Sequence, residues 1–283
     1  MIGRVGVCSW SLQSGSPEAL ADAVASVGAR CVQLAIDPIR EGVWDLEHTR
    51  RSLEDRGIEI VSGMMACKGE DYSSLESIER TGGIRPDATW RDNLEAARSN
   101  ALIAATLRLP LVTFHAGFMP SDPGHPERRD LVERVFAIGG IFANDGAGVA
   151  LETGQETAET LIGFLESVNK PDPPLGKRVG VNFDPANMIL YGKGDPIEAF
   201  KALADRVVQV HIKDAIPADR PGEWGTEVRA GTGAVDWRAL AALVRALPQR
   251  VDLIIEREAG DDRLGDIAAA RAMVGEVFGA ASA

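Results

Sequence analysis

Apolar residues in this chain fall into short continuous runs that alternate with longer stretches where they recur three and four positions apart. The first pattern predicts buried strands and the second predicts amphipathic helices. Strands are expected at residues 5–9, 31–36, 58–64, 111–115, 149–152, 179–184, 207–211 and 252–256. Helices are expected between them. Ser16-Pro17-Glu18 supplies a hydroxyl cap and a proline at the first helical position, and that helix stops near Gly28. A second helix, 45–56, is ended by Gly57. A third carries Trp90, Leu94, Ala97, Ala101 and Ala104 on one face. Others are expected at 127–143, 157–168, from Pro196 onward, and at 236–247 and 264–278. Pro171-Asp172-Pro173-Pro174 is expected to be a loop, because successive prolines lack donors.

Eight strand–helix units without a change in composition predict an α/β fold, a single (β/α)8 TIM barrel over residues 1–283. The alternative is an open doubly wound sheet, but no GxGxxG follows the first strand. The longest loops, 67–89, 119–126 and 213–235, all follow strands, which puts them on the face where a barrel holds its site.

Four strands stop at a polar residue: Glu152, Asp184, His211 and Glu256. They belong to strands five to eight, which are contiguous around a barrel, so their ends can converge. Each alone is equally well a solvent-facing charge or half of a salt bridge. Together they form an oxygen and nitrogen donor set that suits one divalent metal ion, and buried carboxylates need such a partner. His115 ends strand four and reads either as a substrate contact or as a structural histidine. Lys213 reads as a ligand for a substrate oxygen or phosphate, or as a solvated loop lysine. Asn187 supports the site or is a turn residue, and Trp10 is an apolar wall for a sugar or simple packing. Glu156 is a candidate substrate contact, whereas Glu258 reads better as solvated. Gln209 shares a face with His211 by the period of two. His48 and His125 lie in a charged helix and a Pro/Gly loop. Gly231-Thr232-Gly233 could cradle a phosphate through its backbone N–H groups.

The 30 basic and 42 acidic residues leave a net charge of −12, which opposes nucleic-acid binding and offers nothing to anionic lipid. Three cysteines without a CxxC fit reduced thiols. With no charged-then-apolar leader and no membrane-length apolar run, a cytoplasmic protein is expected.

The segments Leu151-Glu152-Thr153-Gly154-Gln155-Glu156, Asn182-Phe183-Asp184-Pro185-Ala186-Asn187, Val210-His211-Ile212-Lys213-Asp214, Gly231-Thr232-Gly233-Ala234-Val235-Asp236-Trp237 and Ile255-Glu256 resemble the sugar phosphate isomerase/epimerase family. This belongs to the xylose isomerase-like TIM barrel superfamily, and its ketose 3-epimerases are the nearest look-alikes. The resemblance implies that Glu152, Asp184, His211 and Glu256 hold Mn²⁺, Mg²⁺ or Co²⁺, with Zn²⁺ also compatible. It further implies that Glu152 and Glu256 move a proton through an enediolate of a small sugar or sugar phosphate. A metal-dependent lyase or dehydratase on a keto-sugar or inosose, and a non-catalytic sugar-binding barrel, are the competing functions. A homo-oligomer is expected by analogy. The chain departs from endonuclease IV-type relatives, because its four histidines cannot house a trinuclear zinc cluster. It departs from the 3-epimerases at Gln209 and Asn187, where those carry histidine, and at Ile216-Pro217, where they carry arginine.

Overall fold

The computed structural model describes residues 2–170, 179–220 and 222–279. Parallel strands β1 (Ile2–Cys8), β2 (Cys31–Ala35), β3 (Glu59–Met64), β4 (Leu111–Phe114), β5 (Gly148–Glu152), β6 (Gly180–Phe183) and β7 (Val207–Ile212) pair in chain order. Between β7 and the last barrel strand lies a small antiparallel hairpin, β8 (Asp214–Ile216) with β9 (Thr226–Val228). Strand β10 (Val251–Ile255) then pairs with β7 on one side and β1 on the other, closing an eight-stranded (β/α)8 TIM barrel.

Alternation along the strands divides the apolar side chains between two places. The larger set packs between barrel and helices, where Phe114, Phe142, Phe164, Phe183, Phe200 and Phe278 are fully buried. The Phe183 and Phe200 rings meet edge to face at 5.0 Å. The smaller set, Cys8, Cys31, Val61 and Ile254 with Trp10 against them, forms a separate apolar cluster. All three cysteines are free and buried.

Register sets the heights of the polar strand ends. Glu152 lies opposite Asn182, Asn182 opposite Gln209, and His211 opposite Ile254. The Glu256 amide extends the β10 ladder by donating to the Ile212 carbonyl at 3.1 Å.

Several segments differ from the sequence reading, among them a 3-10 turn at Ser9–Leu12 and a one-turn helix at Asp37–Arg40. Within 67–89, helix Leu75–Thr81 forms on a Ser74 cap, whose hydroxyl accepts from Ser77 N. Helix Pro185–Leu190 follows β6 before the expected helix, Pro196–Leu203, and the 213–235 loop contains the β8–β9 hairpin. Each of these elements is too short to establish a hydrophobic period. The helix expected around Trp90 runs Asp87–Thr106. The Pro171-Asp172-Pro173-Pro174 loop lies outside the described residues. No described helix is long and apolar enough to cross a membrane.

Candidate functional site

Glu152, Asp184, His211 and Glu256 come together at the C-terminal mouth of the barrel, with one ligand atom from each within 4.8 Å of all the others. All four residues are buried. Glu152 is the last residue of β5. Asp184 caps helix Pro185–Leu190, and its Oδ1 accepts from Ala186 N at 2.8 Å and Asn187 N at 3.1 Å. That capping role fixes the carboxylate and aims Oδ2 at the centre. His211 Nδ1 lies 3.5 Å from Glu152 Oε1, 3.4 Å from Glu256 Oε2 and 3.9 Å from Asp184 Oδ2.

Neither His211 Nδ1 nor Asp184 Oδ2 has a hydrogen-bond partner among the described residues. Buried polar atoms are rarely left this way, and here both face the same point as two further carboxylates. A divalent cation fits that space: it would satisfy the orphaned atoms and neutralise the crowded negative charge. Without a cation, protons do part of that work. Burial pushes Asp184 well above the usual carboxylate range, with Glu256 and Glu152 adding to the shift against Lys213. Burial also disfavours the imidazolium of His211, but the facing carboxylates Glu152 and Glu256 outweigh it and raise its pKa. For Glu256, burial is outweighed by Lys213 and His211, so its carboxylate stays ionised.

Other candidates surround this centre. Trp10 Nε1 donates to Glu256 Oε1 at 2.8 Å. Lys213 is no solvated loop residue: it is 3% exposed, and its Nζ lies 3.0 Å from Glu256 Oε2 and pairs with Glu258. Glu258, read from the sequence as solvated, is therefore tied to the site although its side chain is half exposed. Asn187 Nδ2 donates to Glu152 Oε1 at 2.9 Å. That approach depends on Gly154, whose φ is +140° and where a Cβ would stand 2.3 Å from Asn187 Cβ. His115 Nε2 is 3.6 Å from Glu152 Oε1, and its buried Nδ1 has no hydrogen-bond partner.

Glu156 stands apart from this group. It is buried, its Oε1 has no hydrogen-bond partner among the described residues, and the charge acting on it is that of Lys193. Burial pushes its pKa up to about 8 despite Lys193. Between the ordinary carboxylate value of 4.5 and about 8, the folded protein thus holds a proton that the unfolded chain releases. Its contribution to stability falls as pH rises through that window. Thermal melting between pH 5 and 8 is expected to show a steeper loss for wild type than for Glu156→Gln; parallel curves would remove this assignment.

The phosphate cradle expected at Gly231-Thr232-Gly233 is corrected. Gly231 N and Gly233 N donate to Asp214 Oδ2 at 2.9 and 3.0 Å, so an internal carboxylate occupies the amides. Gln209 lies inside the barrel, accepting from Ser62 Oγ and donating to Asn182 Oδ1. His48 pairs with Glu18 on the surface, and His125 caps a helix. Asn182 was missed by the sequence reading; its Nδ2 donates to Glu152 Oε2 at 3.3 Å. The available signal was an amide inside an otherwise apolar strand. Aromatic residues Phe118, Tyr191 and Trp224 were also missed. Their rings meet edge to face, Phe118 to Tyr191 at 5.8 Å and Tyr191 to Trp224 at 6.1 Å.

Comparison with known proteins places this site in context. A family model described as xylose isomerase-like TIM barrel matches residues 21–276. None of the curated proteins matches the sequence. Among solved structures, a xylose isomerase domain protein from Planctomyces limnophilus is 32% identical, with 92% of this chain and 93% of that one covered and a TM-score of 0.82. A D-allulose 3-epimerase from Methylomonas sp. shares the fold at 16% identity and TM-score 0.70, over 96% and 97% of the two chains. A Mycobacterium smegmatis xylose isomerase-like TIM barrel protein in complex with magnesium is 17% identical, with TM-score 0.71 and 99% and 98% coverage. This chain belongs to the xylose isomerase-like TIM barrel family.

Proposed function

We propose that this protein is a divalent-metal-dependent epimerase or isomerase of a small sugar or sugar phosphate, using Glu152 and Glu256 to move a proton. The observation that carries this reading is the convergence of three carboxylates and one imidazole with orphaned, buried ligand atoms facing one point. Glu152, Asp184, His211 and Glu256 would hold Mn²⁺, Mg²⁺ or Co²⁺, with Zn²⁺ compatible. The ion would supply Lewis-acid charge against the negative charge that develops when a C–H beside a carbonyl is deprotonated.

The rest follows from the side chains. Glu152 and Glu256 reach the centre from β5 and from the end of β10, with β6 and β7 between them around the ring. One carboxylate removes the proton and the other returns one. Return to C3 from the opposite face inverts that carbon, whereas abstraction at C1 with return to C2, and transfer of the O1 hydroxyl proton to O2, converts ketose to aldose. Asn187 and Asn182 orient Glu152, while Trp10 and Lys213 orient Glu256. His115, beside Glu152 with a free ring nitrogen, is placed to bond a substrate hydroxyl. Phe118, Tyr191 and Trp224 offer apolar faces of the kind that pack on sugar C–H groups. The net charge of −12 supports a small-molecule substrate over nucleic acid, and free cysteines support a cytoplasmic setting.

A second reading, a lyase on the same site, is favoured by one observation. It is the buried Lys213 ammonium, a proton-bearing group 3.0 Å from Glu256 Oε2. Chromatography of products from metal-loaded protein separates the two. Ketoses come first in the panel because similar folds are named for D-allulose and L-ribulose epimerisation. A C3 epimer or an aldose supports the proposal. A dehydrated product replaces it with the lyase, and an unchanged panel contradicts it for ketoses.

A further inference from the structure

We infer that Gln33 is a positioning residue that holds a proton on His211 Nε2, so that Nδ1, facing the carboxylate cluster, is the nitrogen available to a metal ion. The consequence for metal binding rests on the metal site proposed above; the pairing itself does not. Gln33 lies in the middle of β2, on the far side of the barrel lumen from the four candidate ligands, and is fully buried. Its Oε1 lies 2.8 Å from His211 Nε2. An amide oxygen cannot donate, so a contact that short requires a hydrogen on the ring nitrogen.

The site of the proton depends on which way the Gln33 amide faces, because oxygen and nitrogen exchange places on rotation. Its surroundings decide this. Gln33 Nε2 donates to Thr113 Oγ1 at 2.8 Å and lies 3.4 Å from the Gly63 carbonyl, which only accepts. Thr113 Oγ1 in turn donates to Met64 Sδ, so it is free to accept from Gln33. Rotating the amide would set its oxygen against the Gly63 carbonyl oxygen. Cys8 Sγ, 3.6 Å from Gln33 Oε1, adds a second donor to that oxygen.

Two neighbours also approach His211 Nε2. Cys8 Sγ lies 3.9 Å away but has Gln33 Oε1 nearer, at 3.6 Å. Asn182 Nδ2 lies 3.0 Å from His211 Nε2 and would donate to it if that nitrogen were bare. But Asn182 Nδ2 has an alternative acceptor in Glu152 Oε2 at 3.3 Å. Among the described residues, Gln33 Oε1 has the ring N–H and the weak thiol donor to satisfy it. The proton therefore belongs on the Gln33 side. With Nε2 protonated and hydrogen-bonded, His211 presents Nδ1, the atom left without a partner between Glu152, Asp184 and Glu256. A hydrogen bond to the distal nitrogen also makes the other a better donor to a metal.

Two measurements test this. In ¹⁵N-histidine NMR of the wild-type protein, the His211 signals, identified by their loss in His211→Asn, should show a slowly exchanging proton on Nε2. An Nε2 without a proton would overturn the inference whatever the metal does. In calorimetric titration with Mn²⁺, Gln33→Met, which keeps the side-chain length but lacks the amide, should bind about 10- to 100-fold more weakly than wild type. Its Nε2 proton should exchange faster. Wild-type affinity and exchange in Gln33→Met would overturn the inference. A wild type with the Nε2 proton but no affinity for any divalent ion would remove the proposed metal centre and leave the Gln33 pairing standing.

Discussion

Glu152→Gln is expected to lower kcat by about 10³-fold or more, within the range that a positioned base contributes, while the protein stays folded. The amide is nearly isosteric and keeps an oxygen for Asn187 Nδ2, which now meets Glu152 Oε1 at 2.9 Å. What disappears is the proton acceptor and one of three carboxylates crowded around His211 Nδ1. Metal-free protein should melt slightly lower than wild type, because the new NH₂ meets Asn182 Nδ2, which now donates to Glu152 Oε2 at 3.3 Å, and affinity for Mn²⁺ should fall. Glu256→Gln should stop turnover equally but behave differently on heating. Its carboxylate faces the buried Lys213 ammonium at 3.0 Å, and neutralising it leaves that charge to the half-exposed Glu258. A loss on the order of 1–3 kcal/mol is expected for weakening such a buried partner. Kinetics, calorimetry and melting of both variants check the pair together. Wild-type turnover in either variant would remove that residue from the mechanism.

Asp214→Asn should be among the most destabilising single-atom-scale changes in the chain, although the residue touches no proposed ligand of the metal. Its buried carboxylate accepts five hydrogen bonds. Oδ1 takes Ala215 N at 2.9 Å and Val235 N at 3.1 Å. Oδ2 takes Gly231 N at 2.9 Å, Gly233 N at 3.0 Å and Trp237 Nε1 at 2.9 Å. An amide puts an NH₂ where one oxygen was and turns it on two or three donors. The cost should reach about 3 kcal/mol, as several donors to a charged acceptor lose it at once. The effect is local, because these bonds pin both ends of the segment carrying the β8–β9 hairpin. Limited proteolysis should cut between residues 213 and 236, and activity should fall because Lys213 adjoins the anchor. An unchanged melting temperature with no new cleavage would contradict this role.

The barrel and its candidate ligands were legible because one physical rule wrote both. Strands buried on two faces read as apolar runs, and at Glu152, Asp184, His211 and Glu256 each run ends on a polar residue. Parity went further than it was followed. Gln209, His211 and Lys213 share one face of β7 and its extension, so an inward Lys213 was readable; the usual preference of lysine for water hid it. The same parity links Ile254, Glu256 and Glu258. Other features were not legible. Helix Pro185–Leu190 and the β8–β9 hairpin are too short to show a period, and their stability comes from Asp184 and Asp214 contacts. The amides of Gly231 and Gly233 looked ready for an anion, as they are. The anion is Asp214, 17 and 19 residues away along the chain, a pairing that no local pattern announces. Gln33 and Asn182 were hidden for a similar reason, since their partners arrive from other strands.

Hydrogen exchange at the sugar itself tests the central claim most directly. The metal-loaded protein is incubated in D₂O with ketoses and ketose phosphates, with and without EDTA, and the recovered sugars are read by proton NMR. Deuterium at C3 that EDTA abolishes is the expected result for an epimerase, and deuterium at C1 or C2 that EDTA abolishes is the expected result for an isomerase. Absence of exchange on every sugar, or exchange indifferent to EDTA, would contradict metal-dependent proton transfer at Glu152 and Glu256.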